Sequence, residues 1–411
     1  MSGLATAKTP PPDGAPRPPF IVYLEGMRGL LGLSIVLGHF RFLLDLNDRY
    51  AGPTASLLPG RGMIFAYGGS VVCAFIVLSG FVITIPVAMR GGSASFWRFM
   101  KSRGRRMVPA YYAAIALAVP LYIWQLNLDH IPVTFRHVAI QVVSHLFFLQ
   151  DLSGTTLEGL DGAMWSIAVE WQAYLVFALL LIPLQKKFGL IAPILAGFGI
   201  GFMPTIVARF HHVPYGLQVA HLWYFGIFAL GSAASFIAFS PERYARLQNA
   251  LVWKIVAALS LVWYFALVVP TFGEFRVPTN PLMDIPIGIG LASWFLALAL
   301  DERVGKRPAI VRFFSIRALV WLGTFSYSLY LTHQPIVEVI MRLAQVLPPA
   351  TRVWVPLIAL PFIVAFAYGF AMLFEYPFMS AYYRSGEAQA LRGPDRAPFA
   401  ASQARTRRTE A

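Results

Sequence analysis

Charge and cysteine are what this 411-residue chain has least of. Asp, Glu, Lys and Arg make up 13% of it, against 57% hydrophobic residues, and the mean hydropathy is +0.63. So little charge excludes a soluble globular domain and leaves a polytopic membrane protein. The one cysteine, Cys73, sits inside an apolar run, which excludes an intrachain disulfide, a CxxC metal site and a redox pair. Residues 1–20 lack the short apolar core of a signal peptide and are rich in proline. They read as a disordered cytoplasmic lead, so the first apolar segment must be its own insertion signal. No internal repeat marks the chain as an inverted-repeat transporter.

Acidic residues are scarce too: 33 Lys and Arg against 19 Asp and Glu give a net charge of +14. The basic residues lie between apolar segments instead of on one arm or face, which speaks against a nucleic-acid partner and for topology signals in a lipid bilayer. Apolar runs at 21–44, 63–89, 107–126, 164–184, 189–207, 218–238, 251–270, 281–300, 318–342 and 352–378 each approach the ~20 residues that span hydrocarbon. The fold expected is all-α, with about ten transmembrane helices. A further candidate, HVAIQVVSHLFFLQD at 137–151, is shorter and polar. Letting it cross would put the RVGKRP and C-terminal basic clusters outside and leave the acidic DLSGTTLEGLDG inside, so it reads as a re-entrant or interfacial segment. Both termini then lie in the cytoplasm, with a membrane domain over 21–380 and a disordered basic tail over 381–411.

Within the first helix, RGLLGLSIVLGH runs from Arg28 to His39, and eleven steps of ~1.5 Å put the imidazole about 16 Å from the guanidinium, beyond the bilayer midplane. Ionisable groups at that depth are costly and face polar cavities. Glu170, one turn after Ser166 in DGAMWSIAVEWQAYL, and His333, on a Ser326, Tyr330, His333 stripe in GTFSYSLYLTHQPIV, reach comparable depth on other helices. For His39 alone, a neutral histidine bonded to a neighbouring helix would be explanation enough. Three at one depth point to a shared polar site, and two imidazoles with a carboxylate suit removal of a proton from a hydroxyl nucleophile. Ser79 and Gly80 in VCAFIVLSGFVIT read as small residues for helix packing, with a nucleophilic serine as the alternative. In RFMKSRGRRMVPAYY, Arg103 and Arg106 share a face, as topology signals or as a pair suited to phosphates. Glu375, in LFEYPF, is a candidate partner for those arginines. No metal-ligand set is apparent.

Six blocks in order, LEGMRGLLGLSIVLGH, FIVLSGFVIT, RGRRMVPAYY, MWSIAVEWQAYL, FSYSLYLTHQPI and FEYPF, resemble the integral-membrane acyltransferase-3 family over about residues 22–380. The family's arginine, ten residues and histidine fall on Arg28 and His39, its arginine-x-x-arginine pair on Arg103 and Arg106, its carboxylate after the Trp-Ser pair on Glu170, and its late His-x-Pro on His333 and Pro335. Glu25 stands where the family more often has aspartate. The C-terminal SGNH-type hydrolase domain of some members has no counterpart here, so a two-step relay would need a separate periplasmic partner.

The resemblance implies transfer of an acyl group, usually acetyl, from cytoplasmic acyl-coenzyme A to a hydroxyl of a cell-envelope glycan or glycosylated small molecule, in the cytoplasmic (inner) membrane. His39 would be the base or a transient acyl carrier, with Glu170 and His333 as catalytic partners sharing protons. Arg103 and Arg106 would bind the donor's phosphates, and Arg28 would line the donor channel or support the site. The rival from another class is a proton-coupled transporter with a His/Glu relay.

Overall fold

The computed structural model describes residues 19–51, 68–157, 159–269, 281–352, 354–380 and 383–385. The expected 1–20 lead and 381–411 tail therefore fall almost wholly outside the described residues. Among the described residues every regular element is a helix. In chain order these are α1 (Val22–Ala51), α2 (Gly68–Ala88), α3 (Phe96–Leu128), α4 (Phe135–Leu146), α5 (Trp165–Val176), α6 (Ile182–Phe188), α7 (Ile191–Val207) and α8 (Tyr215–Val219). They continue as α9 (Tyr224–Phe239), α10 (Ala250–Val268), α11 (Pro281–Arg303), α12 (Ala309–Phe314), α13 (Arg317–Thr324), α14 (Ser326–Leu343), α15 (Pro349–Arg352) and α16 (Val355–Phe374).

Among the described residues, seven spans are long and apolar enough to cross a membrane: α2, α3, the α5–α6 run, the α8–α9 run, α10, α11, and α16 with the turn after it. The other three of the ten expected segments fall on α7, which is apolar but only 17 residues long, and on α1 and α14, which carry ionisable groups. Residues 137–151 form α4 and a 3-10 turn at Gln150–Leu152. Twelve residues make α4 about 18 Å long, short of a ~30 Å hydrocarbon core.

The exposed faces are the apolar ones. Helix α10 buries Ser260 and Tyr264 while Leu251, Ile255, Leu259, Val262 and Trp263 face outwards, and α4 buries Gln141 and His145 while exposing Ile140 and Val143. Water would reverse this arrangement; lipid imposes it.

Backbone-to-backbone packing sets the helices that carry polar residues. A Cβ on Gly80 would lie 2.2 Å from the Phe228 carbonyl oxygen, and one on Gly231 2.1 Å from that of Val77, so α2 and α9 cross at van der Waals contact of their main chains. Helix α1 meets α13 in the same way, since a Cβ on Gly29 would fall 2.3 Å from the Leu319 oxygen and one on Gly323 2.0 Å from that of Glu25. The loop before α5 is fixed by an aromatic stack. The Phe148 ring lies 4.4 Å from Tyr111 of α3 and 4.8 Å from Trp171 of α5, at 16° and 18°. Holding Phe148 there takes a φ of +58°, a left-handed conformation that costs a non-glycine residue about 1–3 kcal/mol. Close by, Gln172 donates to Asp151 at 2.8 Å, and burial pushes the Asp151 carboxyl up to about 7, with that hydrogen bond opposing.

Two outcomes are expected. Gly231→Val should drive α9 off α2, costing about 1–3 kcal/mol or more, read as a lower melting temperature in detergent. For Asp151, the unfolded chain ionises from about pH 4 upwards while the folded one keeps its proton to about 7. Wild-type stability should therefore fall across that window, and Asp151→Asn should melt higher than wild type at pH 8 and alike at pH 4.

Candidate active site

Five helices bring their polar residues to one cleft with about 860 Å³ of empty space, counting its open mouth. The apolar part of its lining comes from Val72, Phe75, Ile76, Val82 and Ile83 of α2, Ile167 of α5 and Met107 of α3. In the polar part, α1 supplies Arg28, α3 supplies Arg103 and Arg106, and α14 supplies Ser326, Tyr327 and Tyr330. Helix α5 supplies Ser166, Glu170 and Tyr174, four apart and so on one face.

The arginines are anchored unequally. Arg28 donates to both oxygens of Glu25, at 3.0 and 3.2 Å, and to the Tyr383 hydroxyl at 3.2 Å. Arg106 lies over the Tyr383 ring, 4.6 Å from its centre. Arg103 has a buried Nε–H with no hydrogen-bond partner, a donor that an anionic or carbonyl guest would satisfy. Glu375 receives the Ser328 N–H at 3.2 Å and its hydroxyl at 2.6 Å, and stands within the field of Arg106 and Arg28.

The Glu170 carboxylate accepts from two hydroxyls on the same oxygen: Ser79 at 2.5 Å, and Tyr174. Ser79 and Gly80, neighbours within the unbroken helix α2, thus divide the work. The glycine packs on α9 while the serine enters the cleft, which composition alone did not separate. Tyr174 escaped the sequence reading although it sits one turn beyond Glu170, where the stripe begun by Ser166 already pointed.

His39 and His333 form a pair of their own, with His39 Nδ1 and His333 Nε2 2.9 Å apart. The network assigns the protons. His333 Nδ1 lies 2.7 Å from the Tyr330 carbonyl oxygen and must donate to it, so its Nε2 accepts from His39 Nδ1–H. His39 Nδ1 is also 3.1 Å from the Ile35 carbonyl, which needs the same hydrogen. In the neutral pair the lone pair of His39 is therefore on Nε2. Tyr330 separates the pair from the cleft. Its ring centre is 5.6 Å from that of His333, and its hydroxyl donates to the Ala163 carbonyl at 2.8 Å and meets Ser166 at 2.6 Å.

The structure thus gathers Arg28, Arg103, Arg106 and Glu170 around one cleft and joins His39 to His333 beside it. Glu170 is hydrogen-bonded to Ser79 and Tyr174 and to neither histidine. Among the described residues no group of three His, Cys, Asp or Glu side chains is placed to hold a metal ion.

A family model described as an acyltransferase domain matches residues 21–376. Peptidoglycan O-acetyltransferase OatA of Listeria monocytogenes is 24% identical over 379 residues, covering 84% of this chain and 54% of that protein. O-acetyltransferase OatA of Staphylococcus aureus is 25% identical over 345 residues, 78% of this chain and 51% of the other. An O-acetyl transferase of Shigella phage Sf6 is 26% identical over 203 residues, 48% and 58% of the two chains. The chain spans about half the length of these curated relatives, and no solved structure matches it.

Removing one donor to the Glu170 carboxylate tests the cleft's internal support. Tyr174→Phe should lower stability by about 1.5–3 kcal/mol, the range for a hydrogen bond to a charged group, measured as a fall in melting temperature with the detergent-solubilised protein still monodisperse.

Proposed function

The chain belongs to the acyltransferase-3 family, and from that premise we propose that it transfers an acyl group, acetyl in the first instance, from acyl-coenzyme A to a hydroxyl of a cell-envelope glycan. One observation carries the reading: a cleft with three arginines at one end and, a helical distance of about 16 Å along α1 from Arg28, an imidazole pair with a defined lone pair. That distance is on the order of the length of a pantetheine arm. The relatives' names speak of O-acetyl transfer, and two of them are OatA proteins.

In this mechanism Arg103 and Arg106 hold the donor's phosphates, Arg106 steadied by the Tyr383 ring, and Arg28 lines the path from the mouth. The acceptor hydroxyl gives its proton to His39 Nε2 as its oxygen attacks the thioester carbonyl. When the C–S bond breaks, the thiolate takes that proton back from Nε2, and the histidine is neutral again. His333 is a positioning residue. Its Nε2 keeps the His39 Nδ1 proton in place and draws closer in charge-assisted contact while His39 is cationic, and the Tyr330 carbonyl holds His333 in the matching tautomer. Glu170, held by Ser79 and Tyr174, balances the arginines' charge. The arginine end faces the cytoplasm in this reading, in keeping with basic clusters on that side and both termini there in the inner membrane.

The test uses protein in nanodiscs with radiolabelled acetyl-coenzyme A and a crude envelope-glycan extract. Wild type should move label to the extract. His39→Ala should cut kcat by about 10²–10⁴-fold with the melting temperature preserved, and the double change Arg103→Ala, Arg106→Ala should raise the donor KM. Near-normal turnover in His39→Ala would remove the base. No label transfer by wild type, with membrane-potential-driven flux in liposomes instead, would favour transport.

A further inference from the structure

Helix α14 carries a polar residue at every fourth position: Ser326, Tyr330, Gln334, Glu338 and Arg342. Sixteen residues make this stripe about 24 Å long, most of the way through a bilayer's hydrocarbon. Its first two members line the arginine cleft. The other three continue past the histidine pair, where Glu338 and Arg342 meet partners on α3 and just after its end. Gln125 donates to one oxygen of Glu338 and Gln334 to the other, both at 2.9 Å. At the far end Arg342 donates to both oxygens of Asp129, at 2.8 and 2.5 Å. A row of partly exposed polar groups at membrane depth is stable only along a polar groove.

Two oxygens along this row have no donor. Because Glu338 accepts only, the Gln334 amide nitrogen is pinned on it, and Gln334 Oε1 is left as a buried acceptor without a partner. Asp161, 3% exposed, takes the Ala163 N–H on Oδ1 at 2.8 Å, while its Oδ2 is buried and unpartnered. The loop bearing it closes on the stripe, since a Cβ on Gly162 would fall 2.6 Å from Gln334 Nε2. Asp161 also stands within the field of Glu338. Unfilled acceptors call for a guest rich in donors. The pantetheine arm of an acyl donor brings two amide N–H groups and one hydroxyl, on the arginine side of the histidine pair in the reading above; a sugar ring brings several hydroxyls at once.

We propose that Gln334 and Asp161, with Gln125 and Glu338 at the mouth, form an acceptor subsite for a hydroxyl-rich carbohydrate ring, on the far side of the His39–His333 pair from the arginine cleft. The subsite rests on the acyl-transfer reading above. Gln334 Oε1 and the free oxygen of Asp161 take hydroxyl hydrogens from the ring. Glu338 fixes the Gln334 amide so that its oxygen stays turned to the ring, and Gln334, next in the chain to His333, ties ring position to the base.

The experiment measures transfer from radiolabelled acetyl-coenzyme A to a mixture of muropeptides and deacylated lipopolysaccharide by nanodisc-embedded wild type, Gln334→Met and Asp161→Asn. The second variant keeps the Ala163 contact through its amide oxygen while turning the unfilled acceptor into a donor, so it remains informative if Gln334→Met fails to fold. Each should raise the KM for the glycan mixture about five- to tenfold, with kcat and the donor KM within twofold of wild type. A structural role, as for oxygens that hold buried water, would instead lower the melting temperature and move donor and acceptor parameters together. That result, or an acceptor KM within twofold of wild type in the folded variants, overturns the subsite. If wild type itself labels nothing in the mixture, the acyl-transfer reading falls and the subsite with it.

Discussion

A guanidinium in a bilayer is stable only where other groups answer its charge, and three of them surround one cleft here. Arg28 is answered by Glu25 and Tyr383. The remaining two carboxylates nearby, Glu170 and Glu375, direct their hydrogen-bonding capacity elsewhere, to Ser79 with Tyr174 and to Ser328. Their charge offsets the arginines at a distance without occupying them. Arg103 keeps an unpaired N–H, while Arg106 is held on Tyr383, over its ring and by a side-chain hydrogen bond. The cleft is thus near electrical balance when empty and still holds donors in reserve for an anion. Fully paired arginines would be more stable and useless for binding; unpaired ones without Glu170 and Glu375 would not stay in the membrane.

In the proposed role of His39 as base, the histidines solve the opposite problem. A base at membrane depth backed by a carboxylate would add a buried charge. Two neutral rings anchored on the Tyr330 carbonyl add none. The carbonyl fixes one tautomer, the first ring fixes the second, and the lone pair that emerges on His39 Nε2 is set by hydrogen bonds alone. Its position depends in turn on backbone packing, because α1 and α13 touch at Gly29 and Gly323. A side chain at either glycine would shift the helix that carries both Arg28 and His39.

Much of this was legible in the chain and some was not, for identifiable reasons. Apolar runs locate the helices because lipid demands hydrophobicity around the whole circumference. The same signal weakens on α1 and α14, where Arg28, His39, His333 and Glu338 dilute it. Spacing of four placed Ser166 with Glu170 and Ser326 with Tyr330, since a single helix fixes which residues share a face. It could not tell which helix that face would meet. His39 and His333 are 294 positions apart, and Ser79 and Glu170 are 91 apart. Depth alone suggested one cluster of two histidines and Glu170, whereas the folded chain puts Tyr330 between the histidines and the carboxylate. Asp161 carries no periodic signal at all, because it lies in a loop whose path is set by the contact of Gly162 with Gln334.

Tyr330 is the residue at which these pieces meet. Its carbonyl anchors the histidine pair, its ring closes the end of the cleft beside Phe75 at 6.2 Å, and its hydroxyl is tied to Ser166 and to the loop that carries Asp161. In the proposed reaction, an acyl group coming from the arginine end passes this ring to reach His39. A ring held only by packing would move freely, but this one gives up hydrogen bonds to α5 and to the loop when it swings, while its main-chain carbonyl can stay on His333. The side-chain gate and the backbone anchor are therefore separable within one residue. In the proposed reaction, opening toward the donor side need not disturb the tautomer of His39, and a guest that orders the Asp161 loop acts directly on the carbonyl that the Tyr330 hydroxyl holds.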